Sequence, residues 1–416
     1  MFFGKKKEKE KTEAPATIQT EDDSRSELSE FFEHTSNIIN PQEEPQVPEA
    51  PPEPPLEITL PDQYDSDLLF KTLIEHNGSD IHLAVGSPPI FRIKGDMIKA
   101  NAKILTEEKM RKMMLPLVKY EMLETFEITG NLDFSLEIKD LARFRGNFLK
   151  QYNGMGAVFR VIPTKVPSID DMKMPPILKK IALFKRGLVI VTGPTGSGKS
   201  TTMAAMINHI NQNRNAHIIT IEDPLEFTHH NNQCIIDHRE IGANAVSFED
   251  AIRSAIREDP DVILVGEMRD LETISLAIKA AEMGILVLGT LHTNSASKTI
   301  DRIIDVFPAK EQEQIRAMLS ESIKAVIAQQ LLKSKDGKGR IAALEVLISS
   351  PALSNIIREG KTTLIDGLIQ TGKNDGMQTM DDTLAIYVKD GKVKLEDALE
   401  RMHDTSVLKR YNVNVN

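Results

Sequence analysis

The stretch VTGPTGSGKSTT, Val191 to Thr202, constrains this chain more than any other part of it. It fits G-x-x-x-x-G-K-[ST] with Gly193, Gly198, Lys199 and Ser200, directly after an apolar run and directly before a helical one. Glycines at 193, 196 and 198 let the loop fold back so that backbone N–H groups converge on phosphate oxygens. The N-terminus of the following helix adds partial positive charge there. Gly193, Thr195, Gly196, Ser197, Gly198, Lys199, Ser200 and Thr201 are therefore the candidate nucleotide-binding residues. Lys199 is expected to reach the β and γ phosphates and Ser200 to ligate Mg2+, with ATP as the nucleotide.

From Gly187 onward short apolar runs, GLVIVTG, HIITIED, DVILVGE and ILVLGTLH, alternate with helical stretches. Strands apolar on both faces and separated by helices indicate a parallel sheet covered on each side, hence an α/β fold. Residues 177–416 are read as this domain, turning helical from Ala309 to Leu332 and again from Leu353 to the end. Ahead of it, residues 62–163 read as a smaller α+β domain. In DFSLEI, for example, Phe134, Leu136 and Ile138 alternate with Asp133, Ser135 and Glu137, as in a half-buried antiparallel strand. Residues 164–176, flanked and punctuated by Pro163, Pro167, Pro175 and Pro176, read as a linker and hinge.

Residues 1–61 are different in kind. They carry 14 Asp/Glu against 6 Lys/Arg, so −8 of the chain's formal −10 is local. Eight prolines fall in the 22 residues NPQEEPQVPEAPPEPPLEITLP, which predicts a disordered, extended tail, with SELSEFFEHTSNII as a short amphipathic helix within it. The start MFFGKKKEKE lacks the apolar core of a secretory signal, and no apolar run is long enough to span a bilayer, so a cytoplasmic location is expected. The acidic balance, the lack of Trp and the absence of a basic block beyond the first ten residues argue against a nucleic-acid groove. A single cysteine, Cys234, excludes an intrachain disulfide and a four-cysteine zinc site.

The strand in DPDVILVGEMRD, Asp259 to Asp270, ends on Gly266, where the magnesium strand of an ATP-hydrolysing enzyme usually carries Asp. Other strands of such a sheet end at the same edge and can supply the missing carboxylate. Glu222 follows one strand, Glu267 the next, and Thr290, His292 and Thr293 the last. Glu222 is read as the general base for the attacking water, and Glu267 as the Mg2+ residue, acting through water. The residues alone leave an exchange of those two roles open. His292 is expected at the γ-phosphate.

These four segments, GPTGSGKSTT, ITIEDPLEF, DPDVILVGEMRDLETI and GTLHTNSASKTIDRIIDVFP, resemble the secretion and pilus ATPases of the GspE/PilT superfamily in order and spacing. SDIHLAVGSPPIFRIKGD, GEMRDLETI, IIREGK and GMQTMDDTL look like its retraction branch, which serves type IV pili, and the single cysteine sets the chain apart from extension and type II secretion members with a four-cysteine zinc motif. The resemblance implies an N-terminal PAS-like domain, a RecA-like P-loop ATPase domain and C-terminal helices, assembled as a homohexameric ring. It implies an inner-membrane platform protein as partner, a second pilus ATPase as a further one, and peripheral association with the cytoplasmic face of that membrane. Arg145 and Arg160 match the family's arginine positions, and the resemblance implies that they reach the nucleotide of another subunit in trans. The tail of about 60 residues is a departure from the retraction branch.

The implied function is a motor in which MgATP hydrolysis powers pilus retraction. An accessory retraction ATPase or a secretion-type assembly ATPase is the alternative within the superfamily. A RecA-like nucleic-acid translocase would need basic loops that are not found, and a non-hydrolysing scaffold would lack one of the acidic segments.

Overall fold

The computed structural model describes residues 56–162, 166–337 and 339–413, so residues 1–55 of the acidic tail, with the short helix expected there, lie outside the described residues. Two sheets organise the chain. The first contains β1 (Gly78–Ala84), β2 (Ile90–Ile93), β3 (Asp96–Lys99), β4 (Asn131–Ile138), β5 (Ala142–Gln151) and β6 (Gly154–Ile162). It is antiparallel throughout, in the order β3-β2-β1-β6-β5-β4.

Strand periodicity sets its two faces. In β5, Ala142, Phe144, Gly146 and Phe148 are buried, while Arg143, Arg145 and Asn147 point the other way. The buried face forms an aromatic core with helices Ser66–Glu75, Glu107–Met114 and Tyr120–Thr129. Phe70 and Phe144 lie 4.5 Å apart between ring centroids and Phe134 and Phe148 4.6 Å. Gly146 makes the second contact possible, because a Cβ there would meet the Phe134 ring at 2.4 Å. Asp65 and Thr106 cap two of the covering helices, accepting from Leu68 N and Lys109 N. The fold begins ahead of the expected Asp62: Ile58 and Leu60 are buried in this core, and Asn101 N donates to Ile58 O at 2.7 Å.

The second sheet contains β7 (Gly187–Thr192), β8 (His217–Glu222), β9 (Ile235–Glu240), β10 (Val262–Val265), β11 (Leu286–Leu291), β12 (Ile323–Lys333) and β13 (Arg340–Ile348). Its order is β13-β12-β7-β11-β10-β8-β9, parallel except for the β12–β13 pair. Every residue of β7, β10 and β11 is buried, as expected for strands covered on both faces. One face packs with helices Phe248–Ala255, Leu271–Glu282, Ala296–Asp305 and Gln312–Ser322, and the other with Ile177–Ala182 and Lys199–Asn213.

The helix expected from Ala309 to Leu332 is corrected. It ends at Ser322, and Ile323 starts β12, hydrogen-bonded between β7 and β13. The run IKAVIAQQLL is apolar at seven of its ten positions, so its pattern suits a buried strand as well as a helix, and only the neighbouring strands decide. Five short helices between Pro351 and Arg410 complete the described chain. Among the described residues no helix is long and apolar enough to cross a membrane.

Phe148 is fully buried at the centre of the aromatic cluster. Phe148→Ala is expected to destabilise the antiparallel domain by about 3–5 kcal/mol. Denaturant unfolding followed by backbone amide exchange in β4 to β6 measures this, and unchanged protection there would contradict the assigned core.

Candidate active site

Parallel register brings four strand ends level. Val265 of β10 pairs with Ile221 of β8 and Gly289 of β11, and Gly289 pairs with Ile190 of β7. The next residues therefore emerge at one edge, where a cleft of about 890 Å³ opens. That volume is in the range of a nucleotide-sized pocket. Glu222, Glu267, His292 and the residues Thr195, Gly196, Gly198, Lys199, Ser200 and Thr201 all line it.

The phosphate loop takes a path that side chains would block. Gly193, Gly196 and Gly198 have φ of 150°, 78° and 88°. A Cβ on Gly193 would lie 2.2 Å from the Gln329 carbonyl oxygen. From β12, the Gln329 side chain donates to Ser197 O at 2.5 Å and accepts from Thr202 Oγ1 at 2.7 Å, tying the loop to the sheet at two points. Lys199 Nζ donates to Gly193 O at 2.9 Å and Pro194 O at 3.3 Å, so the ammonium is folded against the loop that it serves. Burial lowers the Lys199 pKa, and Glu267 nearby opposes that shift. Ser197 can offer the nucleotide only its backbone. Its side chain is buried beneath the loop, and its Oγ has no hydrogen-bond partner.

Gly266 has a steric reason. Its N–H donates to Ile221 O at 2.8 Å, and a Cβ would sit 3.2 Å from both that oxygen and Glu222 Cα. A carboxylate at 266 would crowd the backbone that carries Glu222. The two available carboxylates are in contrasting surroundings. Glu267 Oε2 accepts from Arg269 at 2.6 Å and its Oε1 lies 3.1 Å from His292 Nε2. The Arg269 hydrogen bond holds the Glu267 carboxyl below its usual range. Glu222 keeps some surface open to the cleft, yet the protein around it displaces enough water to push its carboxyl up to about 7. Paired carboxylates driven apart in this way divide naturally into a proton acceptor and a fixed anion.

Among the described residues no cluster of three or more His, Cys, Asp or Glu side chains could cage a metal ion. Ser200 at the helix start and the anionic Glu267 offer one hydroxyl and one carboxylate. That sparse oxygen set fits Mg2+ carried in by phosphate oxygens and retaining most of its waters.

Both arginines expected at the site line the same cleft. Arg160 Nε donates to the buried Asp80 at 2.7 Å, while the side chain stays 69% exposed. Arg145, its register partner across β5 and β6, lies 3.7 Å from Asp133, its one ion-pair partner among the described residues. Within the one chain described, both arginines face that chain's own phosphate loop. Sequence reasoning missed Gln329, Arg269 and Asp80. Arg269 and Asp80 lie inside quoted motif segments and could have been singled out there, whereas Gln329 sits in a stretch read as helix and gave no signal.

The family model for type II/IV secretion system proteins matches residues 65–400. The chain is similar to a twitching motility protein of Neisseria gonorrhoeae, 51% identical over 317 residues, which are 76% of this chain and 85% of that protein. It is also similar to the type IV pilus retraction ATPase PilT of Pseudomonas aeruginosa, 48% identical over 79% of this chain and 95% of that protein. Among solved structures, the pilus retraction motor PilT with bound ADP superposes with a TM-score of 0.77 at 43% identity, covering 84% of this chain and all of that one.

Gln329 generates a test. Gln329→Ala leaves Ser197 O and Thr202 Oγ1 without their buried partner, a loss of about 1–3 kcal/mol per unmade bond. ADP affinity, titrated with a fluorescent analogue, should fall roughly tenfold or more, since about 1.4 kcal/mol is a factor of ten. Parental affinity would show that the loop holds its shape unaided.

Proposed function

Because the chain belongs to the type II/IV secretion system protein family, we propose that it is an ATP hydrolase whose turnover of MgATP powers type IV pilus retraction. The observation that carries this reading is the convergence on one cleft of the phosphate loop, both acidic strand ends and two arginines. Retraction relatives match across most of their own length, and the single cysteine leaves no four-cysteine zinc site in the chain.

The residues divide the work as follows. Backbone N–H groups of the loop from Gly193 to Gly198 and the start of helix Lys199–Asn213 cradle the phosphates, with Lys199 swinging from its loop carbonyls to the β and γ oxygens. Mg2+, when bound, neutralises charge developing between the β and γ phosphates, and Ser200 and Glu267 would hold it, Glu267 through water. Glu222 accepts the proton of the attacking water. His292, oriented by Glu267, meets the γ-phosphate. Arg145 and Arg160 close from the antiparallel sheet to compensate charge on the transferring group. Where such an arginine is required it is worth about 10³–10⁵-fold in rate.

Rigid-body rotation of the two sheets about residues 164–176 would convert this closure into movement. The working assembly in this reading is a homohexamer at the cytoplasmic face of the inner membrane. It acts on a platform protein there and shares the filament with a second pilus ATPase.

Two outcomes are expected. Lys199→Ala should lower ATP turnover by at least about 10²-fold, while circular dichroism and unfolding midpoint stay parental. Undiminished turnover would refute the site. Glu222 is protonated below its pKa of about 7 and cannot then accept a proton. Turnover at saturating MgATP should therefore rise with pH and reach half its plateau near neutrality, with both the rate and this limb lost in Glu222→Gln. A Glu222→Gln enzyme with the parental profile would transfer the base role elsewhere.

A further inference from the structure

Arg143 lies two residues before Arg145 on the same face of β5, yet it does not line the cleft. Its NH2 donates to Glu240 Oε2 at 2.9 Å, and Ser135 Oγ of β4 donates to Glu240 Oε1 at 2.6 Å. Glu240 ends the edge strand β9 of the parallel sheet and is only 5% exposed. One buried carboxylate of the ATPase sheet thus grips two adjacent strands of the antiparallel sheet.

Register makes the grip consequential. Glu240 is the direct partner of Glu222 across β8 and β9, and Ser135 is the direct partner of Arg145 across β4 and β5. Arg145 in turn pairs with Arg160 across β5 and β6. On both sides of the contact, the gripping residues are one strand spacing or one i, i+2 step from residues of the site. Adjacent strands lie about 4.8 Å apart, so little freedom remains between the grip and the arginines.

The pairing is also poor value as mere glue. Arg143 Nε is buried without a partner, so the guanidinium bonds through only part of its fork. A buried ion pair is often no more stabilising than an apolar pair of the same volume, and an orphaned buried donor adds cost.

We propose that Glu240 is a positioning residue. By holding Arg143 and Ser135 it fixes the seat of β4 and β5 over the parallel sheet, and so sets where Arg145 and Arg160 meet the terminal phosphate of the nucleotide. The inference rests on the reading of those two arginines as charge-compensating groups.

The test is steady-state ATP hydrolysis by the full chain in its assembled form, with nucleotide affinity measured alongside. Misplacement by about 1 Å can cost about 10²-fold in rate. Glu240→Gln, which keeps the shape and removes the charge, and Arg143→Ala should each lower kcat by up to that amount while KM and ADP affinity stay near parental. Arg143→Ala added to an Arg145→Ala, Arg160→Ala double variant should make it no slower, because the grip acts through those two arginines. The reversed pair, Arg143→Glu with Glu240→Arg, should recover part of the rate lost in either single substitution. A further, multiplying loss when Arg143→Ala is added to the Arg145→Ala, Arg160→Ala double variant, or losses in KM alone, would overturn the positioning role and leave the arginine reading standing. Full turnover by an Arg145→Ala, Arg160→Ala double variant would instead overturn that reading, and the proposal with it.

Discussion

Parallel hydrogen bonding between β7, β11, β10 and β8 is the constraint on which the rest of the site depends. Once Val265 is in register with Ile221 and Gly289, the chain must leave all these strands at one edge, and residues distant in sequence become neighbours. Gly266 keeps that edge tight, since its N–H bonds Ile221 O where a side chain would press on Glu222. A side chain at 266 would meet close packing between two strand ends. The carboxylates at this edge stand one residue on, at Glu267, and one strand over, at Glu222.

Environment then gives the two carboxylates different chemistry. Arg269 and His292 hold Glu267 as an anion, while burial lifts Glu222 to a proton affinity suited to work near neutrality. The antiparallel sheet completes the constellation from the same chain. Its aromatic face is spent on its own core, which frees the opposite face of β4, β5 and β6 to present Ser135, Arg143, Arg145 and Arg160. How that sheet is seated decides where Arg145 and Arg160 stand along the cleft.

Much of this was legible because the signals were local. The phosphate loop announces itself through glycine spacing between a strand and a helix, and the four inner strands through runs apolar on both faces. Glu222, Glu267 and His292 followed from the single rule that parallel strands end together. What escaped was decided by tertiary partners. The run from Ile323 to Lys333 is apolar enough for either helix or strand, and only pairing with β7 and β13 makes it a strand. Misreading it hid Gln329, the residue that braces the loop. Nothing in the spacing of Arg143 points to the carboxylate almost a hundred residues away that it binds. That Arg145 and Arg160 line the same cleft as the phosphate loop of their own chain is likewise a matter of how two sheets lie and leaves no trace in composition or spacing.

The most direct measurement is a structure of the assembled protein with Mg2+ and a non-hydrolysable ATP analogue. The account predicts the γ-phosphate within about 3 Å of Lys199 and of Arg145 or Arg160 of the same chain, and a water at hydrogen-bond distance of Glu222 in line with it. A bound analogue whose γ-phosphate meets arginines of another subunit only, or lies beyond the reach of Glu222 through one water, would contradict it.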